Sequence, residues 1–234
     1  MTPLCFQTGP LAVNTYIVPV ASAPKHVFIV DPGGDEDFII SKLAGFELAG
    51  IVLSHGHFDH LGAVPALKKR YPAAPLCIHK ADADYIGKNA LAKHRRDFDR
   101  VGASYLICEF EALYPEIPNA DIFFDASSEG VEKLSTKDDF TLAFAPEWRI
   151  IHTPGHSPGS ICLYNKAEKI LLSGDTLFAS SCGRTDLAGG NVKQLKQSLA
   201  LLLQLPADTR VCPGHGDPTT IGKEQNTGFD IYFV

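Results

Sequence analysis

Short apolar runs separated by glycine- and aspartate-rich turns set the pattern of the first third of the chain. Thr15–Val20 and His26–Val30 are rich in Val, Ile and aromatic residues and read as strands, the second closing on Asp31-Pro32-Gly33-Gly34. Asp35–Ala44 places Phe38, Ile39 and Leu43 on one face, which predicts a helix. Gly50–Leu53 reads as a short buried strand, Leu61–Tyr71 as a helix that stops at Pro72, and Pro75–His79 as a further strand. Strands alternating with helices imply an α/β arrangement. Residues 81–119 break the pattern. They carry the charged stretch Lys93–Arg100 and few β-branched residues, and predict a largely helical insertion, either a solvated face or a wall over a site. The second half returns to short strands at Phe140–Ala145, Trp148–His152, Ser160–Tyr164, Lys169–Leu172 and Thr209–Cys212. Between the last two, Asn191–Leu203 forms an amphipathic helix with Val192, Leu195, Leu199 and Leu202 aligned. With no repeat and no linker, residues 1–234 read as one domain whose halves echo each other.

Composition changes this picture little. The chain has 234 residues, 45% hydrophobic and 21% charged, which suits a globular fold with a large core. A net charge of −6 argues against nucleic acid as a partner, although bound metal would change the local sign. The six cysteines form no C-x-x-C pair and match no small disulfide module, so free thiols in a reducing compartment are expected. The N-terminus lacks a basic segment followed by an apolar one, and no run approaches the ~20 apolar residues of a membrane span. The expectation is a soluble, cytoplasmic protein with no membrane partner.

The chemistry concentrates at strand ends. His55-Gly56-His57-Phe58-Asp59-His60 packs three His and one Asp into six residues directly after the apolar Ile51-Val52-Leu53. His55 and His57, two apart, can direct both rings to one side; Asp59 and His60 follow on the turn into a helix and can face a second point. Imidazole with carboxylate suits Zn, Fe or Mn. Four residues cannot complete two metal sites, so further ligands are required. His156 in Thr153–Gly159, Asp175 in Leu172–Thr176 and His215 in Cys212–Asp217 each follow an apolar strand and are flanked by glycine or proline. Alone, Asp175 or His215 would be a turn or cap residue; together with His55–His60 they describe one point of convergence. Asp31 and His152 read as supports for the ligand loops. His26, His79 and His94 read as ordinary surface or core residues. A nucleophilic role for Cys182 would need a partnered base, which the sequence does not specify.

This constellation resembles the metallo-β-lactamase superfamily, from Asp31-Pro32-Gly33 to the Thr219–Glu224 segment. The resemblance implies an αββα four-layer sandwich with a helical insertion. It also implies two divalent metal ions, zinc first and iron or manganese as alternatives. His55, His57 and His156 would hold one ion, Asp59, His60 and His215 the other, and Asp175 would bridge them. The nearest branch is similar to the glyoxalase II group, the hydroxyacylglutathione hydrolases, through Ser173–Phe178 and Pro213–Gly216. It implies hydrolysis of a small-molecule thioester by hydroxide shared between the metals, with Asp59 orienting the nucleophile. Two departures stand out. Full-length glyoxalase II continues into a helical glutathione-binding domain that residues 216–234 are too few to supply. Where that enzyme has Cys-Gly-Lys-Phe-Tyr, this chain has Cys182-Gly183-Arg184-Thr185-Asp186, so Arg184 keeps a cation for a substrate carboxylate while the tyrosine is lost. The same segment is similar to the persulfide dioxygenases, whose single iron would here fall to His55, His156 and Asp175. A degenerate binding protein and a nuclease are the remaining alternatives, disfavoured by the complete ligand set and the acidic charge.

Overall fold

The computed structural model describes residues 2–88, 90–100, 102, 104, 105, 107, 111, 117–125 and 141–227. Two six-stranded sheets form the centre. The first runs in sequence order: β1 (Leu4–Thr8), β2 (Val13–Pro19), β3 (His26–Val30), β4 (Glu47–Val52), β5 (Leu76–His79) and β6 (Ile122–Phe124). Its first three strands are antiparallel, and β3 through β6 are parallel. The second is built from β7 (Thr141–Leu142), β8 (Ala145–His152), β9 (Ile161–Asn165), β10 (Ile170–Gly174), β13 (Arg210–Pro213) and β14 (Thr219–Thr220). Its spatial order is β14-β13-β10-β9-β8-β7, and β10 and β13 are parallel. A ribbon of β11 (Leu177–Phe178) and β12 (Ser181–Cys182) projects from it.

The period-two rule explains how the layers close. In β3, Phe28 and Val30 point between the sheets, where Phe28 meets Trp148 of β8 edge to face at 5.9 Å. Val27 and Ile29 point outward under helices α1 (Glu36–Lys42) and α2 (Val64–Arg70), against Ile39, Leu43, Val64 and Leu67. The second sheet repeats the arrangement. Leu163 and Leu172 face inward, while Cys162, Tyr164 and Leu171 pack under helix α4 (Val192–Leu202) through Leu195, Leu199 and Leu202. Helix α5 (Ile221–Thr227) adds Ile221 to that outer layer. The result is the four-layer αββα sandwich expected from the resemblance.

Helix α1 is shorter than the predicted Asp35–Ala44, because Asp35 sits in the left-handed region at φ 54° and starts the helix only after it. Helix α2 starts at Val64 rather than Leu61, since a turn separates it from the 3₁₀ turn Phe58–His60. The helical reading of the insertion holds for a 3₁₀ segment at Lys80–Tyr85 and for α3 (Ala90–Arg100). Most of residues 101–116, and Phe140 of the predicted strand Phe140–Ala145, lie outside the described residues. No helix among the described residues is long and apolar enough to cross a membrane.

Candidate metal centre

The strands β4, β8, β10 and β13 all end at one edge of the sandwich, and each is followed by residues of the centre: His55–His60, His156, Asp175 and His215. Cross-sheet bonds lock the two halves there. Ile161 N donates to Ser54 O at 2.8 Å and Asn14 N to Gly214 O at 2.7 Å. The Asn14 amide also donates to Pro213 O and Gly216 O. After β4 the backbone stays extended at His57 and then tightens into the 3₁₀ turn. That change of direction divides the segment between two groups. His55 and His57 join His156, while Asp59 and His60 join His215. In each group, ligand atoms lie within 4.8 Å of one another. His55, His60 and Asp175 form a third such group that links the first two. All seven residues singled out from the sequence as ligands are thus brought together.

In the first group, His57 Nδ1 lies 2.8 Å from His156 Nε2, which lies 3.2 Å from His55 Nε2. His156 Nδ1 is 2.8 Å from Arg184 O. A carbonyl only accepts, so Nδ1 carries the hydrogen and Nε2 turns a lone pair inward. One lone pair facing two further ring nitrogens is poorly served by hydrogens alone; a shared cation takes all three donors. Burial, then the neighbouring imidazoles, hold His55 and His57 well below the ordinary histidine range, so both rings are neutral, as ligands must be.

The second group is carboxylate-rich. His215 Nε2 is 3.1 Å from Asp59 Oδ2, and His60 Nε2 is 3.6 Å from the same oxygen. Asp175 stands between the groups, with Oδ2 3.6 Å from His156 and 3.8 Å from His215, and Oδ1 3.4 Å from His60. His60 Nε2 and Asp175 Oδ1 are both buried and neither has a hydrogen-bond partner among the described residues, the mark of groups shaped to share an ion. Burial opposes charge on Asp59, but His60, His215 and His57 outweigh it and keep the carboxyl well below its usual range. Burial likewise opposes charge on His60, and Asp175, Asp59 and Asp31 overcome it to push the ring upward. The donor set fits two divalent ions: five imidazoles and two carboxylates in two triads with one carboxylate between them.

Two glycines are required by this crowding. A Cβ on Gly214 would sit 2.3 Å from Asp175 Oδ1, and one on Gly183 would sit 1.9 Å from Asp175 O. Asp31 supports the first loop. Left-handed at φ 51°, it accepts a hydrogen bond from Ser54 N at 2.7 Å and sets Oδ2 3.0 Å from His60 Nδ1. His152 braces the loop around His156 by donating from Nε2 to Pro158 O at 2.9 Å.

Sequence reasoning missed Asp82, which is fully buried and ties the two ligand loops together. Its carboxylate accepts from Gly56 N (2.9 Å) in the first loop and from Ser157 Oγ (2.6 Å) and Gly159 N (2.7 Å) in the second. Asp82→Ala strands these donors, and the expected loss of stability is roughly 3 kcal/mol. Thermal unfolding of the variant checks this as a fall of about 6–12 °C in the midpoint.

A cavity of about 540 Å³ opens onto the donor cluster and is walled by Phe58, Phe98, Phe178, Leu11 and Leu187. Arg184 reaches its rim but is half exposed and bound by Asp186 through two contacts of 2.6 Å, Nε to Oδ1 and Nη2 to Oδ2. His94, read from the sequence as ordinary, is buried beside the cavity, with its ring edge to face on Phe58 at 4.8 Å. Cys182 also lines it, and burial pushes its thiol up to about 11.

The model of the metallo-beta-lactamase superfamily matches residues 8–215, spanning most of both sheets and all seven donors. The chain belongs to this superfamily. It is 31% identical to the hydroxyacylglutathione hydrolase GloC of Haemophilus influenzae over 215 residues, covering 87% of this chain and 86% of that protein. Among solved structures it is similar to the BLEG-1 B3 metallo-beta-lactamase, with a TM-score of 0.77, 32% identity and 96% and 97% of the two chains covered. It is also similar to TTHA1623 in a di-iron-bound form, with a TM-score of 0.70, 31% identity and 97% and 98% covered. As a member of this metallo-hydrolase superfamily, the chain carries a candidate metal-binding cluster built from its own His and Asp residues.

Proposed function

We propose that this protein is a dinuclear metal-dependent hydrolase of carboxylic thioesters. The observation that carries the reading is the placement of Asp175 between two complete triads, with Oδ2 near His156 of one and His215 of the other and Oδ1 near His60. His55, His57 and His156 would hold one ion, Asp59, His60 and His215 the second, and Asp175 both. Bound there, two divalent ions would supply hydroxide from water near neutral pH and polarise the scissile carbonyl.

The chain's own residues do the remainder. The Arg184 carbonyl and Asp31 fix the rings of His156 and His60, so the donors are oriented before substrate arrives. Asp59 lines the cavity and would orient the attacking water through its carboxylate. Phe58, Phe98 and Phe178 exclude bulk water from one side of the reacting carbonyl, which strengthens every charge interaction at the centre. A thiolate leaves readily, so no general acid is needed at the leaving sulfur. Arg184 would reach a substrate carboxylate only by giving up Asp186. The relation to a hydroxyacylglutathione hydrolase supports thioesters as the substrate class, and the di-iron form of TTHA1623 keeps iron beside zinc as the native metal.

Metal analysis of protein purified without added metal or chelator, followed by a thioester panel, tests the proposal. Two ions per chain with thioester turnover is the expected result. One iron per chain with oxygen uptake on glutathione persulfide would replace it with the dioxygenase reading.

A further inference from the structure

Helix α3 carries Lys93, Arg95, Arg96 and Arg100, yet none of them lines the cavity. Arg95 pairs with Glu111, and Lys93 lies over the Tyr85 ring at 4.7 Å from its centroid. The face turned to the cavity is His94, Asp97 and Phe98, the i, i+3, i+4 set of one helical stripe. Asp97 is 6% exposed, and its Oδ2 has no hydrogen-bond partner among the described residues. Around the rest of the cavity, the only Lys or Arg among the described lining residues is Arg184, already engaged by Asp186 through both contacts. Outside the donor cluster the described lining is therefore mainly aromatic and aliphatic, with His94, Cys182, one buried carboxylate and no unpaired lysine or arginine. A multiply anionic group entering its outer part would lose hydration, find no free lysine or arginine among the described lining residues and meet the Asp97 carboxylate. An apolar group would exchange water for Phe58, Phe98, Phe178 and Leu187.

We propose that this cavity receives an uncharged, apolar portion of the substrate, and that Phe98 and Asp97 of α3 set that preference. Phe98 would supply apolar contact and Asp97 would reject anionic groups such as the glutathionyl tail. The inference rests on the hydrolase reading for its chemistry, but the shape and charge of the cavity stand apart from it.

The test uses the full-length, metal-loaded protein and thioesters that vary one part at a time. Hexanoyl N-acetylcysteamine against hexanoyl glutathione exchanges a small uncharged thiol for an anionic tripeptide thiol; acetyl against hexanoyl N-acetylcysteamine isolates apolar length. The expected result is a kcat/KM about 10-fold or more higher for the uncharged thiol, and about 10-fold higher again for hexanoyl over acetyl. Phe98→Ser should erase most of the length preference through KM, and Asp97→Asn should narrow the charge preference. Calorimetric binding of two uncleavable thioethers, S-hexyl N-acetylcysteamine and S-hexyl glutathione, gives a readout independent of turnover. Preferential turnover or binding of the glutathione compounds overturns the inference, as does equal binding of the two thioethers. If the protein holds two metals and cleaves no thioester, yet binds the uncharged thioether in preference, the hydrolase reading fails and the cavity assignment stands.

Discussion

Asp175→Ala is expected to reduce bound metal from two ions per chain to one or fewer and to lower kcat/KM by on the order of 10³-fold, about 4 kcal/mol of transition-state stabilisation. The side chain contributes to both triads, with Oδ1 near His60 and Oδ2 near His156 and His215, so its removal takes an anion from each. Two effects then add: each ion loses a ligand, and the carboxylate that offsets their mutual repulsion is gone. Metal content by mass spectrometry and turnover measured on one preparation check the expectation. Full metal content with full turnover would show that Asp175 bridges nothing. Asp175→Asn separates charge from shape, because it retains an oxygen donor and keeps the packing against Gly214.

Chelation should lower the thermal midpoint by roughly 8–16 °C. A ligand present at a thousandfold over its dissociation constant stabilises the folded chain by about 4 kcal/mol, and a domain of this size shifts by about 2–4 °C per kcal/mol. The expected loss is large because the donors come from both sheets: His55–His60 follow β4 of the first, and His156, Asp175 and His215 follow strands of the second. Without a cation, the ring nitrogens of the first triad face one another in a buried setting. Differential scanning measurements before and after dialysis against chelator, with re-addition of zinc, decide the point. An unchanged midpoint would mean that the centre is held rigid by Asp31, Asp82 and the cross-sheet bonds alone.

Much of this was legible because the signals are local. The apolar runs at His26–Val30, Ile161–Asn165 and Ile170–Gly174 are strands buried on both faces, and their composition says so directly. The ligand loops declare themselves by residue type. Strand β1 escaped notice because most of its residues are not buried, so no apolar alternation marks it. The two-residue strands β11, β12 and β14 are too short to carry a pattern. Asp82 and Asp97 were hidden for another reason: each lies in a charged, exposed-looking stretch. What buries Asp82 is a contact with Ser157, 75 residues later in the chain. What turns Asp97 toward the cavity is the packing of α3 beside a loop that precedes it by about one helix and one strand. Side-chain type marks a ligand, whereas the supports around it are defined only by the fold.

The partner that fixes His156 is the main-chain oxygen of residue 184, not its side chain. Every amino acid offers that oxygen. The side chain at 184 can therefore be exchanged, whether by drift or by a protein engineer, while the imidazole it steadies keeps its tautomer. On the proposed reading, substrate preference at this rim and reactivity at the centre would be written in separate parts of one residue, so a single codon would retune the first without disturbing the second.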